Sequence, residues 1–231
     1  MSACIALLGG SFDPVHHGHV ALARLFADLL RPDELRVLPA RPWQKAALQA
    51  SDEQRIAMLE LAFGDARLAV SIDRRELEST GPTYTVDTLR GLRAELGPQA
   101  SIVFLMGADQ LQNLDSWREW QQLFVLANLA VAARPGYTLE RDALPPAVAR
   151  ELAPRLASTD QVRTTPAGLV CLAHTLAVDI SSTTVRALLK GGDARTPKPE
   201  ANAMADTTAK VNSLVAPVVL DYIQHHNLYK S

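Results

Sequence analysis

The sequence predicts an α/β fold: a doubly wound, mainly parallel sheet flanked by helices, with a small helical part toward the C-terminal end. Three observations carry this reading. Short apolar runs alternate with stretches of helical spacing, the pattern of parallel strands joined by crossover helices. One run, Ile102–Met106, is apolar at every position, as in a strand buried on both faces. The first run, Ala3–Leu8, leads into the glycine-rich turn Gly9-Gly10-Ser11-Phe12-Asp13-Pro14, after which helical spacing begins.

Taken in order, the run to Leu8 is the first strand and Val20–Leu30 the first helix. Leu35–Pro39 is a second strand, followed by a loop over 40–50. Ser51 is placed as the cap of a helix with Asp52 and Glu53 in its first turn and Ile56, Leu59 and Phe63 on one face. Leu68–Ile72 is a third strand. Thr83-Tyr84-Thr85 leads a helix to Leu96, stopped by Gly97-Pro98. Ile102–Met106 then runs into Gly107-Ala108-Asp109. A single helix is expected over Ser116–Ala127, a fifth strand over Leu129–Ala133, and a helix over Pro145–Leu156. Leu169–Ala173 and Leu176–Asp179 read as a last strand or hairpin. A helix begins near Ser182 and stops at Gly191-Gly192, and 193–213 lacks periodicity and is expected to be a flexible insertion. Val215–His226 closes the chain, with Val218, Leu220 or Val219, and Ile223 inward.

At 231 residues, 48% hydrophobic and 21% charged, the chain can bury a core within one domain over 1–231. A net charge of −2 argues against a general nucleic-acid binder. Cys4 and Cys171 lie in apolar runs and read as buried, reduced thiols. No run is long enough to cross a bilayer, and the first residues lack the basic segment of a signal peptide. The expectation is a cytoplasmic protein with no membrane or nucleic-acid partner; its oligomeric state is open, a homo-oligomer included.

The chemistry gathers at two places. In Gly9–His19, Gly9 and Gly10 allow close backbone approach to a ligand or positive φ, and Asp13-Pro14 is a turn pair. Gly18 stands where a helix should begin and offer unpaired N–H groups to an anion. His16 and His19 bracket that point and can donate to phosphate oxygens. A metal site is the chemical alternative, but no cysteine or carboxylate cluster nearby completes one. The second place is Ile180-Ser181-Ser182-Thr183-Thr184-Val185-Arg186: another helix start suited to phosphate, with Arg186 one turn on as a cationic clamp.

Gly-Gly-Ser-Phe-Asp-Pro-x-His-x-Gly-His over 9–19 resembles the signature of the HxGH nucleotidyltransferases, a Rossmann-like group. Within it the chain is most similar to the bacterial nicotinate-nucleotide adenylyltransferases over nearly its whole length. The resemblance implies transfer of the adenylyl group of ATP to nicotinate mononucleotide, giving deamido-NAD and pyrophosphate in NAD biosynthesis. It implies Mg²⁺ carried mainly by the ATP phosphates, with no protein metal site. His16 and His19 would be catalytic, and ATP would lie against Gly9, Gly10, Ser11 and Phe12, both histidines, Ser182, Thr183 and Arg186.

On the acceptor side, Tyr84 and Thr85 match the family's Tyr-Thr-x-x-Thr-Leu element, which holds the nicotinate carboxylate. Trp117 would stack the pyridine ring, while Trp120 packs in the core. Asp109, at the carboxyl edge of a central strand, could accept from a ribose hydroxyl. Lys45 and Arg134 would meet phosphate, although Trp43-Gln44-Lys45 departs from the family's usual Pro-His-Lys or Pro-His-Arg. His174, His225 and His226 match no site motif and read as structural or surface residues. The alternatives are another acceptor on the same fold, nicotinamide mononucleotide or phosphopantetheine, and a non-catalytic nucleotide sensor.

Overall fold

The computed structural model describes residues 2–41, 48–64, 69–133, 143–173, 180–190 and 210–230. Six parallel strands form one sheet: β1 (Cys4–Gly10), β2 (Glu34–Pro39), β3 (Val70–Ile72), β4 (Ser101–Gly107), β5 (Asn128–Ala132) and β6 (Val170–Ala173). Their order is β3-β2-β1-β4-β5-β6. The chain therefore starts mid-sheet, winds outward to β3, then crosses to β4 and winds the other way. β1 and β4 are neighbours, with Leu7 opposite Phe104 and Leu8 opposite Leu105. The crevice beyond their carboxyl ends is the topological switch point, where doubly wound sheets bind ligands.

The helices are α1 (His17–Leu30), α2 (Asp52–Phe63), α3 (Arg75–Glu78), α4 (Thr85–Leu96), α5 (Ala108–Leu111), α6 (Leu123–Leu126), α7 (Pro146–Leu152), α8 (Thr159–Thr164), α9 (Ser182–Lys190) and α10 (Pro217–His225). Alternation along β1 feeds two cores. Cys4, Ala6 and Leu8 pack on one face with Phe26, Met58 and Val219. Ile5 and Leu7 pack on the other with Leu89, Leu92 and Phe124. Every residue of β4 is buried, as its unbroken apolar run requires. Ser51 caps α2, as the sequence suggested, and does so in a reciprocal box with Gln54.

Several elements differ from expectation. No single helix spans 116–127. Trp117 is extended and Glu119 is left-handed (φ 48°), so the stretch breaks into 3-10 turns at Leu114–Ser116 and Trp120–Gln122 and the short α6. Glu119 is tied in that position to Arg90 of α4. The helix expected to reach Leu156 ends as α7 at Leu152 and tightens into a 3-10 turn. Helix α8 adds to the expected elements, and a capping box of Ser158 and Gln161 marks its start. On α10, Val219, Leu220 and Ile223 face inward, whereas Val218 is 50% exposed. Most of 193–213 and all of 176–179 lie outside the described residues; the last part of the former, from 210, is helical and buries Val211.

Cys4 and Cys171 are both free and buried. Burial pushes the Cys171 thiol from 9.0 up to about 11. In the unfolded chain this thiol ionises first, so between these values the unfolded state has released a proton that the folded state keeps. The resulting contribution is intact below pH 9 and is lost as pH rises toward 11. Urea unfolding at about pH 8 and about pH 10.5 should show roughly 2 kcal/mol less stability at the higher pH from this group. Cys171→Ala should flatten that drop in part, since the Cys4 thiol is also raised by burial. An unchanged drop in the variant would assign it elsewhere.

Candidate active site

β1 runs to Gly10, and the chain then turns through Ser11–Val15 to His16, the N-cap of α1. His16 is extended (φ −145°, ψ 169°), and its carbonyl accepts from the N–H groups of His19 and Val20. Its own N–H donates to Nδ1 of His19 at 3.3 Å. The helix thus starts as a capping box made with histidine in place of glutamate or glutamine. The two rings stack, with centroids 3.7 Å apart and planes 23° from parallel. Because Nδ1 of His19 accepts a backbone N–H, the neutral ring carries its proton on Nε2, which becomes a donor.

Two of the glycines are closely packed against rings. A Cβ on Gly10 would lie 3.1 Å from the Phe12 ring, and one on Gly18 would lie 3.0 Å from Nδ1 of His16. The left-handed residue of the turn is not a glycine but Phe12 (φ 47°). Its ring is fully buried and meets His19 edge-on at 4.8 Å. Phe12 is therefore a seat beneath His19 and does not line the cleft.

A cleft of about 580 Å³ opens at the carboxyl ends of β1 and β4. Gly9, Gly10, Ser11, His16 and His19 line it from the first motif, and Ser182, Thr183 and Arg186 from the second. Asp109 and Trp117 line the side beyond β4. The two motifs are bonded to each other directly. Ser182 Oγ donates to the Pro14 carbonyl (3.0 Å), and Arg186 Nη1 donates to the Asp13 carbonyl (2.6 Å). α9 begins at Ser182 as expected, and Ser181 just before it caps the helix, accepting from the Thr184 N–H.

Beyond β4, Asp109 accepts from Gln110 Nε2 at 2.9 Å. Trp117 is half-buried and edge-on to Phe104 at 6.2 Å. Tyr84 and Thr85 stand at the start of α4, outside the cleft lining, and the Arg118 guanidinium sits 4.6 Å over the Tyr84 ring. Glu76 accepts from the hydroxyls of Thr83 and Thr88, and burial holds its carboxyl above the ordinary range. Trp120 packs on Phe124 as expected, and His225 and His226 are exposed. Lys45, Arg134 and His174 lie outside the described residues. Among the described residues no group of three or more His, Cys, Asp or Glu side chains could hold a metal.

Three residues that shape the site carry little sequence signal. Asp13, read only as a turn residue, is buried and accepts from the N–H groups of Gln49 and Ala50 and from the Tyr229 hydroxyl. Arg55 is fully buried and donates to the carbonyls of Ser11 (2.7 Å) and Ala40 (2.9 Å) and to Asp52 (2.7 Å). A charged residue at an inward position of α2 was the available sign for Arg55. Tyr229 had none.

The profile of the cytidylyltransferase-like family matches residues 7–188. The chain is 52% identical to the "Probable nicotinate-nucleotide adenylyltransferase" of Herminiimonas arsenicoxydans, covering 100% of this chain and 99% of that one. It is 44% identical to the protein of the same name in Chromobacterium violaceum, covering 100% of both. Among solved structures, the Plasmodium falciparum nicotinic acid mononucleotide adenylyltransferase complexed with NaAD aligns with a TM-score of 0.72 at 20% identity, over 98% of this chain and 97% of that one, a likeness of fold. With both phosphate-type motifs brought to one cleft and these likenesses over its full length, the chain belongs to the cytidylyltransferase-like family and, within it, to the nicotinate-nucleotide adenylyltransferases.

Proposed function

We propose that this nucleotidyltransferase joins ATP and nicotinate mononucleotide into deamido-NAD, with release of pyrophosphate. The observation that carries this reading is the direct bonding of Ser182 and Arg186 to the Asp13-Pro14 backbone, which puts both motifs on one cleft at the β1/β4 switch point. The phosphate of the mononucleotide attacks the α-phosphorus of ATP in line. A new P–O bond forms as the bond to the β-phosphate oxygen breaks, and pyrophosphate leaves with the electron pair. The nucleophile is already an anion, so the protein need supply no general base. Its work is positioning and stabilising charge on the phosphoryl oxygens.

His19 contributes Nε2–H and His16 a second imidazole, both at a helix N-terminus. Arg186 commits two donors, to Asp13 and to Thr183, and a guanidinium has five, leaving donors for the triphosphate. Asp109 accepts from a ribose hydroxyl, Trp117 stacks the pyridine ring, and Lys45 and Arg134 meet phosphate. Tyr84 and Thr85 at the start of α4 hold the carboxylate with backbone N–H groups. Mg²⁺ neutralises phosphate charge when bound. In this reading the ion is carried mainly by the ATP phosphates, and Asp13 spends its oxygens on protein donors.

The test is the initial rate with ATP, Mg²⁺ and each candidate acceptor. A carboxylate accepts from donors at both oxygens, whereas an amide turns its NH₂ toward them and leaves donors unpaired, at about 1–3 kcal/mol each when buried. Nicotinate mononucleotide should be preferred over the nicotinamide form by roughly 10²-fold in kcat/KM. Trp117→Ala should raise KM for both acceptors and leave most of that preference. Equal rates on both acceptors with the parent enzyme would sink the assignment, and absence of pyrophosphate release with all of them would favour a sensor.

A further inference from the structure

Asp13 is 2% exposed, and each oxygen of its carboxylate is engaged. Oδ2 accepts from the Gln49 N–H (2.9 Å). Oδ1 accepts from the Ala50 N–H (3.1 Å) and from the Tyr229 hydroxyl (2.7 Å). Tyr229 follows α10, is 4% exposed, and holds a left-handed backbone (φ 61°) after a turn closed by the Leu228 N–H on the Ile223 carbonyl. A phenylalanine would fill the same apolar space. The hydroxyl therefore has one evident role, to complete the set of donors around a buried anion. Burial and the carboxylate beside it push the Tyr229 hydroxyl far above its ordinary value, so it stays protonated and keeps donating.

The same residue carries a second burden. The backbone carbonyl of Asp13 accepts Arg186 Nη1 at 2.6 Å, so a guanidinium is already bound to the residue whose side chain is the buried anion. A carboxylate short of one donor would draw that guanidinium into a charge-assisted pair, which is shorter and about twice as strong as a neutral hydrogen bond. Arg186 would then face Asp13 instead of the cleft. We propose that Tyr229 is a positioning residue for nucleotide binding: its hydroxyl saturates the Asp13 carboxylate and so keeps Arg186 free for the phosphates of ATP. This rests on the reading of the cleft as an ATP site. The closing turn of the chain thereby becomes part of the nucleotide site without touching the nucleotide.

The test compares the parent, Y229F, D13N and the double variant, with α,β-methylene-ATP binding measured by calorimetry and initial rates measured for both substrates. Y229F removes one oxygen. It should bind the analogue about tenfold more weakly and raise the ATP KM in step, while the acceptor KM stays near that of the parent. A purely structural loss would lower the melting temperature and the active fraction and leave the ATP KM unmoved, which would overturn the proposal. In the D13N background there is no anion to capture Arg186, so adding Y229F should weaken analogue binding little further. Independent, additive losses would show that Tyr229 does not act through Asp13 and would equally overturn it. Analogue binding needs no acceptor. A parent enzyme that binds the analogue but does not turn over nicotinate mononucleotide therefore overturns the acceptor assignment and leaves this comparison decisive.

Discussion

His19→Ala should lower kcat by roughly 10²–10³-fold, the range seen when one preorganised donor to a transition state is lost. It should also lower stability by about 1 kcal/mol, because Nδ1 of His19 caps the N–H of His16. The geometry offers a way to separate the two effects. An asparagine at 19 places Oδ1 near where Nδ1 now stands and can still accept from the His16 N–H, but it has nothing at the position of Nε2. His19→Asn should therefore melt close to the parent and still lose most of kcat. Thermal melting and steady-state kinetics on the two variants give the answer. A kcat near the parent's in His19→Asn would reduce His19 to a cap.

Arg55→Met should cost about 3–5 kcal/mol, the largest stability loss expected from any change near the cleft. The methionine keeps the apolar stem but does not reach the place of the guanidinium, so the buried carbonyls of Ser11 and Ala40 lose their charged donor. Asp52 keeps Arg41 as a partner, which limits the damage on that side. For a domain of this size the loss corresponds to roughly 10 °C in melting temperature. The effect should reach the site, because Ser11 continues the strand end that lines the cleft, and the ATP KM should rise with it. Arg55→Lys should recover only part of the stability, since one ammonium cannot reproduce a fork held between three acceptors. If Arg55→Met melts with the parent, the buried guanidinium is not what fixes the turn.

Much of this architecture could be read from residues alone, for identifiable reasons. Helix α2 was legible because its serine cap and acidic first turn are local, and β4 because burial on both faces leaves an unbroken apolar run. The stretch 116–127 reads as a helix because its helical spacing is real, and that spacing carries no sign of the left-handed turn at Glu119. In the site, His16, His19 and Arg186 stood out because their spacing belongs to one short segment each. Asp13 and Tyr229 did not, because what they do depends on a partner that topology alone brings near. Of the two roles open to Gly9 and Gly10, positive φ is not used; Gly10 and Gly18 line the cleft and also leave room for the rings of Phe12 and His16.

The bonds that complete the site span most of the chain. Asp13 and Arg186 are 173 positions apart, and Asp13 and Tyr229 are 216 apart. Contacts of such separation form late, after the entropy of closing very large loops has been overcome. A chain emerging from the ribosome exposes the histidine loop first and its partners in α9 and after α10 last. The strands in between can assemble while the nucleotide cleft still lacks one wall. Competence to bind ATP should then come late in a newly made molecule, and should be lost early when the segment after α10 detaches. ATP, by binding only the form in which both motifs meet, would shift the equilibrium toward it by mass action.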